Sequence, residues 1–155
     1  MKVVVDTNVI LSSLLAPTSP PKQVLAAIQS SHTLVVSLAM AAELGAVIVR
    51  PKFARLGTEK ERVNSIQALL SASHIVAIVP TFTITHPELA DEDDNRLLEA
   101  ALASHADLII TGDKELLALR QVAAPAVIES GTNVTYSPSI YISSAADALD
   151  FLLST

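Results

Sequence analysis

The sequence predicts an α/β fold, a central parallel sheet with helices packed on both faces. Two observations carry the prediction. Short apolar runs rich in β-branched residues, such as Val3-Val4-Val5 and Leu34-Val35-Val36, alternate with longer stretches whose apolar residues recur at helical spacing. The short runs are continuously apolar rather than alternating, as expected of strands covered on both faces by crossover helices. No internal repeat, low-complexity tract or linker interrupts the pattern, so residues 1–155 are read as one domain.

Each element has a local reason. Val3 to Val5 forms the first strand and ends in Asp6. Val9 to Leu15 forms a short apolar helix that Asp6 or Asn8 can cap. Pro21 suits the first position of a second helix, which runs to about Ser31 with Val24, Leu25 and Ile28 on its apolar side. Thr33 to Val36 is the second strand, and Ser37 caps a helix that ends at Arg50, before Pro51. Thr58 and Glu61 form a capping box for a helix that buries Val63, Ile66, Leu69 and Leu70.

Ile75 to Val79 is a third strand stopped by Pro80, and Thr81 to Ala90 is irregular. A helix from Asp93 or Asp94 to about His105 turns Leu97, Leu98, Ala101 and Leu102 inward. Leu108 to Ile110 is the fourth strand, and Thr111-Gly112-Asp113 leads into a short helix through Leu119. The stretch Gln121 to Pro138 carries no clear period. Ile140 to Ile142 fits a last strand, and Ser144 with Asp147 caps a final helix ending near Leu153.

Composition narrows the function. Half the residues are hydrophobic and only 3% aromatic, so Ala, Val, Leu and Ile build the core. No cysteine is present, which excludes disulfides and thiolate metal sites and fits a reducing cytoplasm. A strand starts within two residues of Met1 with no signal peptide, and no apolar run reaches the ~20 residues of a membrane span. A cytoplasmic protein with no membrane segment is expected. The net charge of −6 argues against binding nucleic acid by bulk electrostatics. The charges are unevenly placed, however. Arg50, Lys52, Arg55, Lys60 and Arg62 are five of ten basic residues, while five of sixteen acids fall between Glu88 and Asp94. That is either two solvated faces or an acidic pocket beside a basic lip.

The carboxylates follow a pattern. Asp6 lies past the carboxyl end of the first strand, where open α/β sheets place ligands; alone, it reads equally as a helix cap. Glu43 sits mid-helix among small and apolar residues. If Leu38, Ala42, Ala46 and Val49 form the inward stripe, Glu43 lies at its edge, facing either solvent or the site. Asp91-Glu92-Asp93-Asp94 repel one another unless solvated, cation-bound or partly protonated, although two of them suit the helix dipole. The fourth strand again ends near a carboxylate, Asp113, after a glycine that allows a tight turn or a close backbone approach. Acids that follow several strands can converge on a hard divalent ion such as Mg²⁺ or Mn²⁺. His32, His74, His86 and His105 show no zinc-ligand spacing, and neither a nucleophile elbow nor a phosphate-cradling glycine loop is present.

With these motifs in order, the chain resembles the PIN-domain ribonucleases, the fold of VapC-type toxins, from Met1 to about Leu119. The resembling segments are Val3-Val4-Val5-Asp6-Thr7-Asn8, Ser37 with Glu43 and Arg50-Pro51-Lys52-Phe53, Asp93-Asp94-Asn95 with Leu97, Leu98 and Ala101, and Thr111-Gly112-Asp113-Lys114-Glu115-Leu116-Leu117. The resemblance implies a three-layer α/β/α sandwich and a metal-binding, catalytic quartet of Asp6, Glu43, Asp94 and Asp113. Asp94 is preferred to Asp93 by register, Asp93 serving in support. Asn8 would orient Asp6, and Thr111 would bond a ligand or water. Arg50, Lys52 and Arg55 are candidate RNA contacts. The implied function is a metal-dependent endoribonuclease, the toxin of a type II toxin–antitoxin pair, with RNA as substrate and an antitoxin protein as partner.

A homodimer is also expected, because Val24, Leu25 and Ile28 on one helix and Val63, Ile66 and Leu70 on another compete for a single sheet. Segment 121–138 looks longer than in the family. Two alternatives remain. One is a phosphatase with Asp6 as covalent nucleophile, weakened because Asn8 stands where a second aspartate is usual and only Lys114 offers a partner. The other is a non-catalytic RNA- or protein-binding module.

Overall fold

Strand β1 (Lys2–Val5) is the centre of the molecule, and its three valines have no solvent exposure. It is flanked by β2 (Thr33–Ser37) and β4 (Leu108–Ile110), both parallel to it, with Val4 opposite Val35 on one side and Ile109 on the other. Strand β3 (His74–Val76) pairs outside β2, and β6 (Tyr136–Ser143) pairs outside β4. The computed structural model describes residues 1–77, 92–119, 121–125 and 136–155, with backbone alone for 92–93, 121–125 and 136–139. The expected Pro80 stop, the irregular stretch Thr81 to Ala90, and Asp91 lie outside the described residues.

Five strands are parallel, as the apolar runs require. The sixth was not expected: β5 (Gln121–Pro125) pairs antiparallel with β6, giving the order β3-β2-β1-β4-β6-β5. The predicted last strand, Ile140 to Ile142, is the inner part of the longer β6. Helices flank this sheet in a three-layer α/β/α sandwich. Helix α2 (Pro20–Ser31) packs against both α1 (Thr7–Leu15) and α7 (Ala145–Ser154), and α5 (Glu92–Ser104) lies across β1 to β4. Ile10, Ile28, Leu98, Ile109 and Ile110 are among the fully buried side chains. Each contributes up to about 1.5–3 kcal/mol through burial.

The helix boundaries follow local chemistry. Asp6 caps α1, and Ser37 accepts a bond from the Met40 N–H to cap α3 (Leu38–Ile48). Helix α2 begins one residue earlier than predicted, at Pro20, because both prolines fit its first turn. Helix α3 stops at Ile48, short of the predicted Arg50. Arg50, preceding Pro51, is extended (ψ 149), and a 3₁₀ turn, Pro51–Leu56, follows. The capping box of Thr58 and Glu61 starts α4 (Glu59–Ser71) as predicted. Gly57 before it has φ 122, and a Cβ there would collide with the Glu61 carboxylate that closes the box. Helix α5 ends with His105 in the left-handed region (φ 54) and the Ala106 N–H bonded to the Ala101 carbonyl at 2.9 Å.

Two predicted faces need correction. Helix α3 turns Met40, Leu44 and Ile48 inward, while Leu38 is 57% exposed and Val49 36%. On α4, Ile66 is buried as expected, but Val63, Leu69 and Leu70 are only half-buried, and Arg62 is the other buried residue. Its Nη1 donates to the Ile48 and Arg50 carbonyls at 2.7 and 3.1 Å, which closes the carboxyl end of α3. Val24, Leu25, Ile28 and Ile66 are covered within the chain, so their competition for the sheet gives no reason for a dimer. Among the described residues no helix is long and apolar enough to cross a membrane.

The chain leaves β1 toward β2 on one side and returns through β4 on the other. The crevice at the carboxyl ends of β1 and β4 is therefore a topological switch point, the place where α/β sheets bind ligands.

Candidate active site

A cavity of about 740 Å³ opens at that switch point, and Asp6, Glu43, Asp94 and Asp113 all line it. Four different elements supply them. Asp6 follows β1, Glu43 projects from α3, Asp94 lies in the first turn of α5, and Asp113 precedes α6 (Lys114–Leu119). A local rule accounts for two of the positions: Asp6 caps α1, and the Asp113 carboxylate accepts the Glu115 and Leu116 N–H groups at 2.9 and 3.1 Å.

Thr111 joins the two capping carboxylates. Its hydroxyl donates to Asp6 Oδ2 at 2.9 Å and accepts the Asp113 N–H at 3.1 Å. The other Asp6 oxygen accepts the Asn8 backbone N–H at 3.1 Å. This contact uses the Asn8 main chain and is the cap of α1. Thr111, fully buried, differs from the expectation: its hydroxyl proton is directed to Asp6 rather than to a ligand or water. Gly112 has no positive φ, and a Cβ there would meet no atom within 4 Å, so neither a tight turn nor a close protein contact demands glycine. It leaves open space at the cavity wall.

Asp94, Asp113 and Glu115 form the tightest grouping, with one carboxylate oxygen from each lying within 4.8 Å of the others. Asp94 is 4% exposed, Asp113 half-buried and Glu115 exposed. Three like charges at that spacing repel, and hard oxygen donors gathered this closely suit Mg²⁺ or Mn²⁺. The residues present therefore fit such an ion. Asp6 and Glu43 share the cavity but stand outside this triad. The Asp93 side chain lies outside the described residues.

Sequence reasoning missed two residues. Glu115 lies within the resembling segment after Thr111 but was given no role there. Arg96 lines the cavity from α5, with Nε 3.1 Å from a Glu99 carboxylate oxygen. Arg50, Lys52 and Arg55 are exposed and do not line the cavity. The Arg55 Nη2 donates to the Leu15 carbonyl at 2.6 Å, closing the end of α1, and the Lys52 Nζ stands 5.8 Å from the Phe53 ring centre. Arg62 is buried in the helix-end role described above, which removes it from the predicted basic lip.

Comparison with known proteins gives the family. A family model for the PIN domain matches residues 2–115. The chain belongs to the PIN-domain family. Members of that family are typically nucleases. An uncharacterised protein of Methanocaldococcus jannaschii is 35% identical over 122 residues, covering 77% of this chain and 76% of that protein. Among solved structures, this PIN domain is similar to a chain of VapBC2 from Rickettsia felis bound to a DNA fragment from their promoter. The TM-score is 0.56 at 16% identity, covering 76% of this chain and 92% of that one, a likeness of fold.

Proposed function

We propose that this PIN domain is a divalent-metal-dependent endoribonuclease that hydrolyses RNA phosphodiester bonds, and that it is the toxin of a toxin–antitoxin pair. The observation that carries the reading is the gathering of Asp6, Glu43, Asp94 and Asp113 around one cavity at the switch point. Bound Mg²⁺ or Mn²⁺ supplies positive charge against the phosphate and makes water a better nucleophile. In this reading Asp94 and Asp113 hold the ion, with Asp6 and Glu43 completing the set and Glu115 in reach. Thr111 holds Asp6 in one rotamer, and the α6 cap holds Asp113. One of the carboxylates takes the proton released as water attacks. Arg50 and Lys52 extend the path of the RNA strand outside the cavity, with Arg55 a weaker contributor because of its bond to Leu15.

The phosphatase reading gains nothing from the geometry. Both Asp6 oxygens accept hydrogen bonds, and Lys114 does not line the cavity. The likeness to VapBC2 supports a protein partner in the cell, and we read this partner as an antitoxin. A homodimer is part of the same proposal. Phe151 and Leu153 on α7 are 50% and 69% exposed, a face that a second copy would cover. Sedimentation showing a single 16.3 kDa species at micromolar concentration would refute that assembly.

The activity is tested with a labelled oligoribonucleotide. Cleavage is expected in Mn²⁺ or Mg²⁺ and none in EDTA. Asp6→Asn, which keeps the cap on α1 but removes a charge, should lose activity by orders of magnitude with the fold intact. Cleavage that persists in EDTA and in the variant would overturn the reading.

A further inference from the structure

We propose that Arg96 is a phosphate-binding residue of this cavity, held in position by the buried carboxylate of Glu99. The inference rests on the nuclease reading of the same cavity. Four carboxylates make the cavity strongly negative, and RNA carries a negative charge at every linkage. Ions near the triad neutralise only their own surroundings. Arg96 is the sole basic residue among those described around the cavity, since the basic stretch after Arg50 lies elsewhere. It is therefore the fixed cation nearest to where a phosphodiester must sit.

The local geometry suits that task. Arg96 and Glu99 stand three residues apart on α5, so they share one side of a rigid element. The Arg96 side chain is 38% exposed, while that of Glu99 is 1% exposed. The contact is made at Nε, on the stem side of the guanidinium. The two terminal nitrogens, which form the fork that recognises phosphate, lie beyond it. A carboxylate is costly to bury unless it is paired, and Arg96 is one of the groups that offset the Glu99 charge; the 3.1 Å approach is a charge contact rather than a directed hydrogen bond. A purely structural pair would look similar at rest. The two roles separate when both charges are removed together.

The test uses the full chain and a single-stranded oligoribonucleotide, with binding read by anisotropy in Ca²⁺, and cleavage and thermal unfolding measured alongside. Arg96→Gln should weaken binding about tenfold, as the loss of one charge-assisted contact does. The slope of log affinity against log salt should flatten by about one contact. Arg96→Lys should recover part of the affinity. Because Arg96→Gln leaves Glu99 buried without this partner, its melting temperature should fall. The double variant Arg96→Gln/Glu99→Gln should regain melting temperature but not RNA affinity.

A double variant that binds RNA as the parent does would overturn the proposal, leaving Arg96 a structural counter-charge. So would single variants that lower the melting temperature while affinity and salt slope stay put. If the parent cleaves nothing but binds RNA in an Arg96-dependent way, the nuclease reading fails and the phosphate site stands. If the parent binds no RNA at all, both fail.

Discussion

Replacing Thr111 by valine would remove one hydroxyl while keeping the shape of the side chain. That hydroxyl is fully buried, donates to Asp6 Oδ2 at 2.9 Å and accepts the Asp113 N–H at 3.1 Å. A bond to a charged group contributes about 1.5–3 kcal/mol. Asp6 is only half-buried, so water replaces part of it, and about 1 kcal/mol is the appropriate share. The Asp113 N–H left without its acceptor adds about 1 kcal/mol more. The total of about 2 kcal/mol should lower the melting temperature by about 4–8 °C in a chain of this size. The strand itself should persist, because the Thr111 N–H bonds the Ser143 carbonyl through the backbone. Calorimetry with and without Mn²⁺ reads both consequences. Mn²⁺ should raise the melting temperature of the parent more than that of the variant, since Asp6 loses its fixed rotamer. An unchanged melting temperature together with an unchanged Mn²⁺ response would refute the view that Thr111 ties the two carboxylates together.

Two further predictions concern residues outside the cavity. Arg62→Met should destabilise the protein by about 1–2 kcal/mol, the loss of two carbonyl contacts partly offset by removing a buried Nε that has no hydrogen-bond partner among the described residues. RNA affinity should not change, and a loss of affinity at constant stability would return Arg62 to the nucleic-acid path. His105→Gly should stabilise by about 0.5–1 kcal/mol, because the residue is exposed at φ 54 and glycine adopts that conformation without strain. A chemical denaturation midpoint that falls instead would show that the imidazole contributes more than its backbone costs.

Much of this was legible because it is local. The valines of β1, the Thr58–Glu61 box and the Ser144 cap are decided by neighbouring residues, and the structure keeps all three. The four carboxylates were legible as a set because each sits at a strand end or on the helix beyond it. The inward face of α3 was not. Apart from Glu43 and Gly45 every residue from Leu38 to Val49 is apolar, so two stripes fit equally well, and contact with the sheet selects Met40, Leu44 and Ile48. Strand β5, with the sequence Gln-Val-Ala-Ala-Pro, has no alternation to read and forms by pairing with β6. Charge counting could not separate Arg62, directed to a helix end, from Lys52 on the surface. Arg96 was hidden between acids and leucines, where only the folded cavity reveals what it faces.

The central claim is that these carboxylates hold a divalent ion, and diffraction from crystals soaked in Mn²⁺ tests it most directly. The account predicts an anomalous peak in the cavity, within about 2.5 Å of oxygens from Asp94 and Asp113, with Asp6 or Glu43 bound directly or through water. Anomalous density confined to other surfaces, with the cavity carboxylates unliganded at saturating Mn²⁺, would contradict it.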